Sequence, residues 1–248
     1  LNTFWFDANQ LSGTTSNSSS VQTWNNLTSF GLNAYQNSSS KRPTYYDDSN
    51  FGMNGYPTLH FDGSNDHYKI NNNSNLNVQG SWYERSFSIV IRTSSDISSR
   101  QVIYEEGGHV RGLNLYIQDS KIWFGAWNVN NDGVGAPWAF QSVTQNINPN
   151  TEYVITAIFN GNDDITGSLE LYCNGNYEIQ NTGIGKLYGH SGDIRIGGGA
   201  SYTDSGWSGS SKYFEGEIAE FIVMDNAIDG ARRIIIDNYL AATYDIQL

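Results

Sequence analysis

The chain has 248 residues, 38% of them hydrophobic and 14% aromatic, which is enough apolar surface for a sizeable core and too much for a disordered segment. Its formal net charge of −12 comes from 13 basic against 25 acidic residues, so the clustered Lys and Arg of a nucleic-acid or anionic-membrane surface are missing. One cysteine, Cys173, permits no intramolecular disulfide, and no apolar run approaches the length of a transmembrane helix.

In chain order, residues 1–55 read as a loop-rich extension, with polar tracts at 16–20 and 37–40. The chain begins at Leu1 without Met, as expected of a mature or excised fragment. Strand signals then dominate. Phe87, Ile89 and Ile91 alternate with Ser88, Val90 and Arg92; Leu113, Leu115 and Ile117 with Asn114, Tyr116 and Gln118; Ile122, Phe124 and Ala126 with Trp123, Gly125 and Trp127. The series continues through 153–159, 168–173, 193–196 and 214–224. Asn174-Gly175, directly after a strand, predicts a tight hairpin turn. Cys173 lies within the apolar alternation and reads as a small core residue.

Helical spacing appears once. From Asp229, a good N-cap, to Tyr244, the apolar positions Ile234, Ile235, Tyr239 and Leu240 predict an amphipathic helix packed on the end of the strands. No Pro-rich linker or repeat divides the sequence, so 1–248 reads as one domain.

Several segments together resemble laminin-G-like domains of the concanavalin A-like superfamily. Phe61-Asp62-Gly63-Ser64-Asn65-Asp66 is similar to the early "FDG…D" turn. Leu169-Glu170-Leu171-Tyr172-Cys173-Asn174-Gly175 resembles the "L-x-L-Y-x-N-G" hairpin, and Phe214-Glu215-Gly216-Glu217-Ile218-Ala219-Glu220 the "F-x-G-x-I-x-E" strand. Trp5-Phe6-Asp7 and Pro43-Thr44-Tyr45 are similar to extensions of bacterial surface members. The resemblance implies an all-β, two-sheet antiparallel jelly-roll sandwich with one short C-terminal helix. It also implies glycan or protein recognition and often one calcium ion at the loop edge.

Physics alone accounts for two of these motifs. Asp62 can turn the chain by accepting backbone N–H groups, and Gly216 suits a place where a side chain would strike a neighbouring strand.

Sugars are held by flat rings and planar polar side chains, so aromatics outside the core alternation are the first candidates. Trp123 and Trp127 alternate against the core positions, Trp138 falls in a loop read over 128–141, and Tyr202 and Trp207 fall in a second loop over 197–211. By resemblance, the loop 105–112 and the loop after Ile194-Arg195-Ile196-Gly197-Gly198 sit together at the ligand edge. That places Arg111, Tyr202, Asp204 and Trp207 near one another, with Arg111 offering bidentate hydrogen bonds. Calcium needs several oxygen ligands; Asp204 is the first candidate and Asp132 the second.

Catalytic signals are sparse. Retaining glycoside hydrolysis needs two carboxylates about 5–5.5 Å apart. The nearest motif, 215–220, has Glu217 and Glu220 at an odd spacing that a regular strand sends to opposite faces. None of His60, His67, His109 and His190 stands in the Gln-x-His setting of jelly-roll lyases. The sequence therefore points to a non-catalytic carbohydrate-binding or adhesion module of a larger secreted or cell-surface bacterial protein. A protein-interaction or spacer domain and a polysaccharide hydrolase or lyase are the alternatives.

Overall fold

The computed structural model describes residues 2–78, 80–129, 137–192, 194–199 and 213–248. Two large antiparallel sheets face each other. The first runs in the order Asn176–Ile184, Gly167–Cys173, Glu152–Asn160, Glu84–Thr93, Glu215–Met224, Thr58–Asp62, Thr44–Tyr46, Ser19–Ser20, with Asn2–Asp7 also paired to Glu215–Met224. The second runs Trp138–Asn146, Lys121–Asn128, Arg111–Gln118, Gln101–Gly107, Ile194–Ile196, Tyr68–Ile70, Ala34–Tyr35, Thr23–Trp24. The all-β two-sheet sandwich with one C-terminal helix is therefore present.

The alternation read from sequence fills the space between the sheets. Phe87, Ile89 and Ile91 from one sheet meet Leu113, Leu115, Ile122, Phe124 and Ala126 from the other, all 2% exposed or less. Cys173 is buried among them. A second apolar cluster covers the outer face of the first sheet, where Val90, Val154, Ile158, Ala219, Ile222 and Met224 pack under Leu240, Ala241 and Tyr244 of the helix. Burial on both faces explains why the two central strands of that sheet carry so many apolar residues in succession.

The local turn chemistry follows the residues. Asp62 Oδ1 accepts the N–H groups of Ser64, Asn65 and Asp66. Asn174 and Gly175 form the two-residue turn at φ 45° and 78°, closing the Cys173–Asn176 pair. Gly216 lies at φ 143°, and a Cβ there would stand 2.3 Å from the Arg92 carbonyl oxygen.

Three expectations change. The first 55 residues are more than an extension, because Asn2–Asp7, Ser19–Ser20 and Thr44–Tyr46 join the first sheet while Thr23–Trp24 and Ala34–Tyr35 join the second. Trp138 opens the strand Trp138–Asn146 instead of lying in a loop. Its ring stacks on Phe159, its Nε1 donates to the Lys186 carbonyl at 3.1 Å, and Gly185 leaves the room for it.

The helix, Gly230–Tyr244, is capped by Asp229 as expected, but it turns a different face to the sheet. Ile234, Ile235 and Tyr239 are 49%, 68% and 44% exposed, whereas Asp237, Leu240, Ala241 and Tyr244 are buried. A polar chain fixes that choice. Ser88 and Thr156 share a hydrogen bond, Thr156 donates to Asp237 at 2.6 Å, and Arg233 pairs with Asp237 while lying over the Tyr172 ring. Burial raises the Asp237 carboxyl above its ordinary value against these partners. No helix among the described residues is long and apolar enough to cross a membrane.

Two stability outcomes are expected from denaturant titration. Asp237→Ala should cost about 1–3 kcal/mol by leaving Thr156 and Arg233 without their acceptor, while Ile235→Ala stays within about 0.5 kcal/mol of the parent. Trp138→Ala should cost about 3–5 kcal/mol, as the loss of a buried ring does.

Candidate functional site

The tryptophans singled out from sequence are largely committed to packing. Trp127 is fully buried on the outer face of the second sheet, donates to the Gly108 carbonyl at 2.9 Å, and lies over Gly112, where an added Cβ would meet its ring at 2.8 Å. Trp123 is half-buried, stacked on Tyr116 at 5.7 Å and bonded to the Gln118 carbonyl. The outer face thus covers itself with its own rings, and Trp138 is buried. Tyr202, Asp204, Trp207 and Asp132 lie outside the described residues. Among the described residues, no three His, Cys, Asp or Glu gather as metal ligands.

Arg111 begins the strand Arg111–Gln118 and is buried, its guanidinium reaching the Gly189 carbonyl and the Tyr188 ring. Antiparallel pairing of Glu105 with Arg195 and Tyr104 with Ile196 sets its neighbours. It brings Gly189–Gly192, the segment before Ile194–Ile196, against residues 108–111, so close that a Cβ on Gly192 would overlap the Gly107 oxygen. The chain after Ile196 leaves at the other end of the same strand, where Gly197 donates to Ile103. Among the described residues, His190 joins Arg111 in one pocket. Behind them, Arg85 pairs with Glu106 at 3.4 Å and lies 4.3 Å over the Trp82 ring, which stacks on His190. The resulting pocket presents backbone, the Arg111 guanidinium and the imidazoles of His109 and His190, with no Trp or Tyr ring in its lining.

A better-equipped cavity arises on the opposite sheet. Register in Glu215–Met224 shifts between Ile218 and Glu220, a bulge at Ala219 against Glu84–Thr93. Ile218 and Phe221 belong to the inner core and Ala219 and Ile222 to the outer cluster. The extra residue turns Glu217 and Glu220 to the same outer face, correcting the expectation of opposite faces. They serve different neighbours. Glu217 bonds His60 Nδ1 at 2.8 Å and lies near Arg92.

Glu220 instead receives Trp5 Nε1 at 2.7 Å, Tyr244 OH at 3.0 Å and Tyr239 OH at 3.3 Å. Directly opposite it across the ladder stands Asp7, whose Oδ1 accepts the Asn9 N–H and caps the short turn Ala8–Leu11. Together they floor a cavity of 360 Å³. Trp5, Tyr56, Tyr239 and Leu27 form its walls, and Asn9, Gln10 and Thr243 stand at its polar margin. Burial above all, with the Asp7 charge adding to it and the Trp5, Tyr244 and Tyr239 donors opposing, pushes Glu220 up to about 7. Burial raises Asp7 as well, against the Asn9 hydrogen bond.

The sequence contained these residues without announcing them. Trp5-Phe6-Asp7 alternates like an edge strand, but its partner lies 215 positions away at Glu220. A bulge leaves no mark on composition.

The sequence matches no family model and no curated protein. In structure it is similar to the botulinum neurotoxin serotype G binding domain (TM-score 0.64, 12% identity), covering 98% of this chain and 52% of that one. It is also similar to the binding domain of Paraclostridial Mosquitocidal Protein 1 (TM-score 0.66, 11% identity), covering 96% and 52%. A third is the botulinum neurotoxin serotype D ligand binding domain in complex with N-acetylneuraminic acid (TM-score 0.55, 16% identity), covering 89% and 51%. The chain spans about half the length of each of these domains, and at such identities the likeness shows the sandwich fold alone.

Proposed function

We propose that this chain is a glycan-binding or adhesion module of laminin-G-like kind, carried by a larger secreted or cell-surface protein, and that its sugar site is the cavity floored by Asp7 and Glu220. The carrying observation is the meeting of the Tyr56, Tyr239 and Trp5 rings with the carboxylates and amides of Asp7, Glu220, Asn9 and Gln10 in one concavity. Ring faces accept the C–H patches of a pyranose, and planar polar groups orient its hydroxyls. Tyr56 and Tyr239 are 37% and 44% exposed, so both rings are open to a ligand. The N-acetylneuraminic acid of the serotype D domain supports a sugar ligand for a protein that contains this sandwich. That sugar belongs to a domain of which this chain spans half.

One observation favours a second reading, hydrolysis: Asp7 and Glu220 are neighbouring acids, and Glu220 is shifted to about 7. Against it, both Glu220 oxygens already accept donors from Trp5, Tyr239 and Tyr244, an arrangement that holds a carboxylate in place instead of presenting an acid to a leaving group. Reducing-end release from a polysaccharide panel would establish hydrolysis.

A glycan array followed by calorimetry on its hits tests the leading reading. Tyr239→Ala and Tyr56→Ala should each weaken binding about tenfold, the order expected for losing one stacked ring. Trp207→Ala and Arg111→Ala should leave it unchanged. The reverse pattern would move the site to the loop over 197–211 or to the Arg111 rim, and absence of any glycan hit would favour the spacer role.

A further inference from the structure

The cavity breaks a local rule. Like charges placed directly opposite each other in an antiparallel ladder repel, and burial strengthens the effect. Asp7 and Glu220 are such a pair, 8% and 1% exposed. Among the described residues lining the cavity there is no Lys, Arg or His to offset them. Besides Asp7, the groups that face Glu220 from the neighbouring elements are neutral donors: Trp5 from the edge strand, and Tyr239 and Tyr244 from the helix. A fold keeps such a conflict most readily where a ligand resolves it.

The walls point to the same ligand chemistry. Tyr56, Tyr239 and Trp5 stand around the two acids, and electron-rich ring faces attract ammonium groups, more strongly when partly desolvated. The chain's net charge of −12 raises the local concentration of small cations before any contact forms.

We infer that this cavity selects ligands bearing an ammonium group, and that within the glycan reading on which the inference rests its class is the amino sugar with a free amine. The ammonium sits over the Asp7–Glu220 pair, and the pyranose lies against Tyr239 and Tyr56. An N-acetylated or neutral sugar fills the same space and leaves the two acids uncompensated.

Protonation tunes the site. Below about 7 Glu220 takes up a proton and the cavity loses much of its attraction for a cation, so ammonium binding strengthens as pH rises through that value. By the same linkage, the unliganded protein keeps the Glu220 contribution to stability below the ordinary carboxyl value of 4.5 and loses it as pH rises through about 7.

Isothermal titration of the whole chain with glucosamine trimer, N-acetylglucosamine trimer and tetramethylammonium chloride tests the inference. At pH ~7 the free-amine trimer should bind about tenfold tighter than the acetylated one, and Glu220→Gln should close that gap while sparing the acetylated trimer. Tetramethylammonium, whose charge does not titrate, should bind wild type at least about fivefold tighter at pH ~8 than at pH ~5.5. Equal affinity for the two trimers, both lost in Tyr239→Ala, would preserve the glycan site and overturn the ammonium selection. Saturable tetramethylammonium binding with no response to either trimer would support the cation site and end the glycan reading. No binding of any probe overturns both. Should Glu220→Gln fail to fold by circular dichroism, the wild-type pH pair decides, and equal tetramethylammonium affinity at the two pH values overturns the inference.

Discussion

The single extra residue at Ala219 organises much of this molecule. Glu215–Met224 lies in the middle of the first sheet and pairs with Glu84–Thr93, Thr58–Asp62 and Asn2–Asp7. Without the bulge, strict alternation would carry Glu220 into the apolar space between the sheets, towards Phe87 and Tyr104, and would send Phe221 outward. With it, Ala219 and Glu220 both face outward, Phe221 returns to the core, and Ile222 reaches the helix. The inner core, the helix seat and the acidic cavity all follow from that one change of parity.

The parts of the fold that sequence displayed are those whose signal is local and repeated. Long strands such as Arg111–Gln118 and Lys121–Asn128 show their inward faces by period two. Asn174-Gly175 and Asp62-Gly63 declare their turns through φ > 0 and side-chain acceptors. The two-residue strands Ser19–Ser20, Thr23–Trp24 and Ala34–Tyr35 are too short to carry any period, so only their partners reveal them. The helix misled for a different reason. Its isoleucines suggest the buried face, whereas a buried Asp237 satisfied by Thr156 and Arg233 decides it, and no hydrophobicity pattern favours a carboxylate in that position.

The candidate site was less legible than the fold. Aromatic residues out of phase with the core are a sound signal for ligand contact only when the outer face is bare. Here Gly112 and Gly125 make room for Trp127 and Phe140 to lie flat on their own sheet. The open rings sit elsewhere, on Tyr56 and Tyr239, residues whose surroundings in sequence are ordinary loop and helix. His190 lines the Arg111 pocket through antiparallel register, a pairing that no local pattern in the sequence displays.

The cavity draws Trp5 and Asp7 from the opening strand and Tyr239 and Tyr244 from the closing helix, with Glu220 between them. A molecule lodged there would clasp the strand Asn2–Asp7 and the helix Gly230–Tyr244 to the central strand, as a buckle closes a belt. Occupancy would then oppose fraying of the helix and of the edge strand together.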